Sequence, residues 1–317
     1  MRKYLIPDEG KFYKANLHSH STVSDGHFTP EEMKEKYMEK GYSVIAFTDH
    51  GRLVPHNELT DENFLALNGL EYGVNNMDVE AVSHPKFRKN CDLCMIALEP
   101  DNFTTYTDIN KDFTLKYTPE SINELIEGGR RLNFFVTHNH PTWSGEAYTD
   151  YITYNNLNAM EVVNYGCLCS GFEEHNQKIY LDMLRSGKRL YCLATDDNHN
   201  YPHKPDSFGG FTMIKAEKLE YRTITRALTD GNFYSSEGPL INELYWEDNK
   251  VFIKTSPARE IIITKLGKNV GKVKDDNLIT EASFDIEADD GFFFITVTDE
   301  KGLKAFTNAY FTDEILN

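Results

Sequence analysis

The chain has no run approaching the roughly 18 consecutive apolar residues that a membrane span needs, which argues against a membrane-spanning helix. Its opening, MRKYLIPDEGKF, carries two basic residues with no apolar stretch behind them, a poor signal peptide, so the expected compartment is the cytoplasm. Cysteine is sparse and odd in number: Cys91, Cys94, Cys167, Cys169 and Cys192 are five scattered residues. Neither Cys91-x-x-Cys94 nor Cys167-x-Cys169 sits among the turn residues that a structural zinc ribbon requires, and reduced, buried thiols are the expectation. Positive charge is short as well. Lys and Arg number 33 against 50 Asp and Glu, a formal net charge of −17. Phosphate contact along a nucleic acid needs a positive field, so no stable nucleic-acid partner is expected. A glycine-rich phosphate loop, a tandem repeat and a low-complexity tract are likewise missing.

What is present is a 317-residue chain, 40% hydrophobic and 13% aromatic, enough for one large domain or one large and one small. Helix and strand signals alternate over the first 235 or so residues. Thr29-Pro30-Glu31-Glu32 reads as a capping box with proline at the first helical position. The helix EEMKEKYMEK that follows stops at Gly41 and feeds the strand SVIAF. Thr118-Pro119-Glu120 with SINELIEGG feeds LNFFVTH, FEEHNQKIYLDMLRSG feeds RLYCLAT, and KLEYRTITRALTDG feeds NFYSS. Repeated helix-then-strand units imply parallel strands and an α/β barrel. From about residue 240 the runs become short and β-rich (ELYWED, KVFIKT, EIIITKL, FFFITVTD), with Phe293, Ile295 and Val297 facing a core by alternation. The expected organisation is an α/β barrel over 1–238 and a small all-β, sandwich-like domain over 239–317.

Metal-ligand side chains recur where those strands end. NLHSHSTVSDG places His18, His20 and Asp25 within eight residues, SVIAFT runs into Asp49-His50, and Gly69-Leu70 precedes Glu71. FFVT runs into His138-Asn139-His140-Pro141, and YCLAT into Asp196-Asp197-Asn198-His199. The carboxyl ends of barrel strands open on one face, so these groups gather there. Imidazole and carboxylate suit Zn, Mn and Fe. His-x-His on extended backbone sends both rings to one side, because side chains alternate with period two.

The ordered set His18-x-His20-x-x-x-Ser24-Asp25-Gly26, Thr48-Asp49-His50, Glu71, Asn139-His140-Pro141 and Asp197-x-His199 resembles the PHP (polymerase and histidinol phosphatase) family of metal-dependent phosphoesterases. The resemblance covers roughly residues 13 to 236. It implies a distorted (β/α)7 barrel holding two to three divalent ions, Mn, Zn or Fe. It also implies His18, His20, Glu71 and Asp197 around one ion, Glu71 and His140 on a second, and Asp25, His50 and His199 on a third. Where the family usually supplies a further histidine for the second ion, this chain reads KNCDLCMIALEPDN. Asp92 falls at that position, with His84 as the alternative.

Asp49 is expected to orient His50 or cap its turn, and Asp196 to support the site rather than bind metal. His138, two residues before His140, could reach the same side of its strand. Arg52 lies beyond a strand end and could grip a phosphate bidentately. Arg130 and Arg131 suit the end of a helix, and Trp143 could wall the pocket, stack on a base or pack in the core. The resemblance implies hydrolysis of a small phosphorylated substrate, with Asp197, Glu71 and Arg52 at the reacting centre. Hydrolysis of a non-phosphate bond and a metal-loaded binding protein are the alternatives. No membrane partner is expected, and the β domain could bridge subunits.

Overall fold

The computed structural model describes residues 2–75, 88–268 and 270–316. The chain runs β1 (Lys3–Tyr4), β2 (Lys11–Asn16), α1 (Pro30–Glu39), β3 (Val44–Phe47), β4 (Leu65–Asn75), β5 (Asn90–Ala97), α2 (Tyr106–Ile109), α3 (Pro119–Arg131), β6 (Phe134–Asn139) and α4 (Tyr148–Tyr151). It continues through β7 (Ala159–Asn164), α5 (Tyr165–Cys169), α6 (Gln177–Arg185), β8 (Tyr191–Thr195), β9 (Phe211–Ala216), α7 (Tyr221–Thr229) and β10 (Phe233–Ser236). The C-terminal part holds β11 (Ile241–Glu247), β12 (Lys250–Lys265), β13 (Val270–Asp285), β14 (Phe292–Thr298), β15 (Lys304–Thr307), β16 (Tyr310–Phe311) and α8 (Thr312–Ile315). No helix among the described residues is long and apolar enough to cross a membrane.

Local chemistry explains the helix starts. Glu32 N–H donates to Thr29 Oγ1 at 3.2 Å while Thr29 N–H donates to Glu32 Oε2 at 2.9 Å, the reciprocal capping box read from sequence. At α3, Ser121 N–H donates to Thr118 Oγ1 at 3.3 Å, and Pro119 follows at the first turn, where a missing N–H costs nothing.

The fold is mixed α/β around one continuous sheet. Strands β2, β3 and β4 are parallel, as are β6, β7 and β8. Between them β5 runs antiparallel to both β4 and β6, a departure from the all-parallel expectation. No helix-then-strand unit was read for its segment, so the sequence carried no signal for its direction. β9 and β10 also pair antiparallel, β9 with β2 and β10 with β9.

Side chains from all these strands meet in one interior cluster. It includes Ala15 of β2, Val44 of β3, Leu67 of β4, Ile96 of β5, Phe135 of β6, Ala159 of β7, Leu193 of β8, Ile214 of β9 and Phe233 of β10. β8 meets β9 and β10 through side chains: Thr212 Oγ1 donates to the Ala194 carbonyl at 3.2 Å, and Ser235 Oγ to the Cys192 carbonyl at 2.6 Å. Gly210 makes that approach possible, since a Cβ there would lie 2.2 Å from the Thr195 carbonyl oxygen.

The C-terminal strands extend the same sheet, because β15 pairs with β10. From β15 the order continues through β14, β12 and β11 to β1, so the N-terminal strand closes this end. β14 is buried on both faces rather than the one that alternation suggested. Phe293, Ile295 and Val297 enter a core with Ile241, Val251 and Ile261, while Phe292 and Phe294 pack on the other side among residues of β5 to β8 and α6. Phe294 meets the Tyr180 ring of α6 at 5.6 Å. Each fully buried phenylalanine contributes roughly 1.5–3 kcal/mol, so β14 fastens the two ends of the sheet together.

Gly210→Ala drives a methyl group into backbone rather than into a movable side chain. We expect a loss of at least about 2 kcal/mol, read as a lower denaturant midpoint, despite the entropy that alanine removes from the unfolded chain.

Candidate metal centre

The pleat aims the first ligands. Ser19 turns toward β3, its Oγ donating to the Ala46 carbonyl at 2.7 Å and its N–H to Thr48 Oγ1 at 3.0 Å. His18 and His20, one residue either side, therefore both face the interior, and both are buried. Their Nε2 atoms lie 3.1 Å apart.

Glu71, at the centre of β4, receives four imidazoles. Its oxygens lie 3.3 Å from His18 Nε2, 3.4 Å from His20 Nε2, 2.9 Å from His50 Nδ1 and 3.3 Å from His140 Nε2. Asp197 completes the first group, with Oδ1 at 3.3 Å from His18 Nε2 and 3.1 Å from His20 Nε2. His140 Nε2 lies 3.8 Å from Asp197 Oδ2. At the rim Asp25 stands 3.6 Å from His50 Nε2, 3.5 Å from His199 Nε2 and 4.0 Å from His20 Nδ1. His140 and Asp197 hold φ angles of +26° and +49°, in the region that non-glycine residues avoid. Such strain costs of order 1–3 kcal/mol per residue and collects at functional sites.

These donors fit divalent ions. Tetrahedral coordination at about 2.0–2.1 Å places neighbouring ligand atoms about 3.3 Å apart. The His18, His20, Glu71 and Asp197 separations, 3.1 to 3.4 Å, match that spacing. Asp197 Oδ1 is buried without a hydrogen-bond partner, which marks an acceptor reserved for something other than protein. His18 Nδ1 lies 2.8 Å from Glu161 Oε1. A carboxylate there keeps a proton on Nδ1, so Nε2 is the nitrogen that faces the group and gives up its proton when a cation binds.

Electrostatics point the same way. Burial alone lowers an imidazole pKa and raises a carboxylate one. For His18 the attraction of Asp197 and Glu71 outweighs burial and raises the pKa well above its ordinary value, and His140 is carried to about 10 in the same way. Glu71 and Asp197 are held low despite burial, chiefly by His18. Asp25 is held low by its hydrogen bond with His199, against a smaller effect of burial. His20 differs: burial prevails and lowers it. The carboxylates thus create a field that favours positive charge in the centre, the field a divalent cation needs.

The other residues singled out in the sequence divide. Asp92 is buried on β5, but its Oδ2 lies 3.9 Å from His140 Nδ1, the ring nitrogen turned away from Glu71, and Oδ1 has no partner. Burial pushes its carboxyl up to about 7. The tight donor groups of the centre, His18 with Glu71 and His140, His18 with His20 and Asp197, and His20 with Asp25, His50 and His199, form without it. His84 lies outside the described residues. Arg52 is exposed on the loop after His50. His138 does not reach this site: β6 ends at Asn139, and the positive φ of His140 breaks the alternation that would have put both rings on one side. Its Nε2 instead lies 2.5 Å from Glu146 Oε2. Trp143 sets its ring edge-to-face against His140 at 4.9 Å and stays 41% exposed.

Asp49 and Asp196 hold loops. Asp49 accepts from the N–H and hydroxyl groups of Ser21 and Ser24 at 2.7 to 3.1 Å, fixing the turn that carries Asp25. Asp196 accepts the N–H groups of Phe208, Gly209 and Gly210 and the Tyr37 hydroxyl at 2.8 to 2.9 Å.

Three buried carboxylates, Glu161, Glu174 and Asp206, escaped the sequence reading. Glu161 accepts from His18, Thr195 Oγ1 at 2.6 Å, the His140 N–H at 2.8 Å and Asn164 Nδ2 at 2.9 Å, so it ties two ligand-bearing strand ends together. Glu174 accepts the Thr142 and Trp143 N–H groups at 3.2 and 2.8 Å. A lone carboxylate inside the apolar strand AMEVVN was the available signal for Glu161.

Residues 16–126 match the PHP domain family. A segment of 50 residues, 16% of this chain, is 50% identical to the DNA polymerase/3'-5' exonuclease PolX of Bacillus subtilis and spans 9% of that protein's length. Among solved structures, a two-domain Bacteroides vulgatus protein containing a predicted PHP-like metal-dependent phosphoesterase aligns with 15% identity and a TM-score of 0.45. That alignment covers 96% of this chain and 98% of the other. An amidohydrolase from Chromobacterium violaceum, with sulfate bound and no metal, aligns with 15% identity and a TM-score of 0.39, over 58% of this chain and 87% of its own.

Because Glu161 sets the tautomer of His18 without lying in any of these donor groups, Glu161→Gln should lower metal affinity about 10–100-fold while the protein stays folded. Chelator competition measures the affinity and circular dichroism checks the fold.

Proposed function

We propose that this PHP-domain protein hydrolyses a small phosphomonoester, a nucleotide or sugar phosphate, using two to three divalent ions of Mn, Zn or Fe. The observation that carries the reading is Glu71, one carboxylate within 3.4 Å of four imidazoles, placed to be shared between adjacent ions. His18, His20, Glu71 and Asp197 would hold one ion, Glu71 and His140 with Asp92 a second, and Asp25, His50 and His199 a third. When bound, such ions neutralise the charge of a phosphoryl group and acidify a water to a nucleophile at neutral pH. The chain's own part is placement. Glu161 fixes His18, Asp49 fixes the loop of Asp25, and Arg52 binds non-bridging phosphate oxygens as the substrate enters. In the same proposal residues 1–238 act as a distorted (β/α)7 barrel that presents these strand ends, and 239–317 as an appended β domain.

The exposure of Arg52 supports a second reading, hydrolysis of a non-phosphate bond, because such a bond needs no cationic grip.

The test is phosphate release from a panel of nucleotide, bisphosphorylated nucleoside and sugar phosphates by Mn-loaded protein. We expect turnover by the native chain, none by Asp197→Ala, and for Arg52→Ala a kcat/KM lowered roughly 10–100-fold, the value of one or two charge-assisted hydrogen bonds. No release from any member, with metal content confirmed, would overturn the phosphoesterase reading. Turnover unchanged in Arg52→Ala would remove Arg52 from it.

A further inference from the structure

A second group of ligand-type side chains lies behind the same strands. Side chains on β5 and β6 alternate, so Asp92, Cys94 and Asn139 face the centre, where Asn139 Nδ2 donates to Glu71 Oε1 at 2.9 Å. Cys91 and His138 face the opposite side: His138 pairs across the ladder with Leu93, which shares a face with Cys91. Glu146 reaches over them from the turn that follows Pro141, its N–H donating to the Pro141 carbonyl at 3.1 Å. Cys91, His138 and Glu146 offer ligand atoms within 4.8 Å of one another. The Cys91 residue and the side chains of His138 and Glu146 are all 0% exposed.

We infer that Cys91, His138 and Glu146 form a separate zinc site, with three protein ligands, on the face of the β5–β6 ladder opposite the PHP centre.

Three observations carry this. The donors are sulfur, nitrogen and oxygen, the set that zinc accepts and that Mg and Ca do not. The pocket is not satisfied by protein alone: His138 Nδ1 and Tyr117 Oη are buried without partners, although His138 Nε2 already contacts Glu146 Oε2. Native interiors leave few such atoms, and an orphaned ring nitrogen beside a thiol and a carboxylate calls for a bound group. The surroundings are also prepared for an ion. The Tyr154 hydroxyl donates to Glu146 Oε1 at 2.5 Å and its ring sits edge-on to His138 at 5.3 Å, which orients both ligands from outside.

Charge closes as well. Zn²⁺ with the Cys91 thiolate, the Glu146 carboxylate and a neutral His138 sums to zero, so no net charge is buried. Binding releases the thiol proton of Cys91 to solvent. The ion would staple the 141–146 turn to β5 and β6, the strands that carry Asp92 and lead into His140, so it would stiffen one wall of the centre. The inference does not depend on the phosphoesterase reading.

Stripped protein reloaded with Co²⁺ tests it. A cobalt–thiolate bond gives an intense near-ultraviolet charge-transfer band that imidazole and carboxylate ligands cannot give. We expect that band in the native chain and in His20→Asn/Asp197→Asn, which disables the PHP centre. It should vanish in Cys91→Ser and weaken in Glu146→Gln. If Cys91→Ser does not fold, single serine substitutions at Cys94, Cys167, Cys169 and Cys192 make the assignment, because the band must survive all four. No band in the native chain, or its loss in any of those four, overturns the proposal.

Discussion

Everything in the centre depends on keeping the Glu71 carboxylate ionised in a place that water does not reach. A lone buried carboxylate would take up a proton. Here the imidazoles of His18, His140 and His50 hold it charged. They come from the ends of three further strands, β2, β3 and β6, so the charge is stabilised only when those strands are in register. The same pull makes divalent cations welcome. Positive φ at His140 and Asp197 is the conformational cost of turning two strand ends sharply enough to face one point.

The buried carboxylates of this molecule sort by how many N–H and O–H donors they already have. Asp49, Asp196 and Glu161 each accept four and have nothing left for an ion. Asp197 and Asp92 each retain a buried oxygen with no partner. Counting donors therefore separates carboxylates that shape loops from those available to metal, a distinction that residue type and chain position do not make. Asp92 is the intermediate case: a free oxygen, yet turned toward the far nitrogen of His140.

Much of this was readable in the chain. His18, His20, Asp25, His50, Glu71, His140, Asp197 and His199 announced themselves because ligand-type residues recurred where apolar runs ended, and period-two alternation is a local property. Helix starts were readable for the same reason, since Thr29 and Glu32 satisfy each other within one turn. What escaped was set by contacts between distant segments. The direction of β5 depends on its neighbours in space, and so does the burial of β14 on both faces. His138 stayed open in the sequence, because an unbroken strand would carry it to the side of His140, and the positive φ of His140 sets the two rings apart. Glu161 looked like any strand carboxylate until the structure supplied its four donors.

The hold of Asp196 on residues 208–210 has an implication for how such a chain can diverge. The segment from Asp197 to Phe208 leaves β8 and comes back to it, pinned at its far end by hydrogen bonds to the carboxylate next to its origin. His199 lies in the first part of this segment, and its N–H donates to Asp206 Oδ2 at 3.1 Å, a second tie across the loop. The outer stretch, Tyr201 to Pro205, is thus a tether clipped at both ends. Mutations can lengthen, shorten or recolour it while the ligand at its root keeps its bearing. Such changes would vary the surface of the loop without rebuilding the centre beneath it.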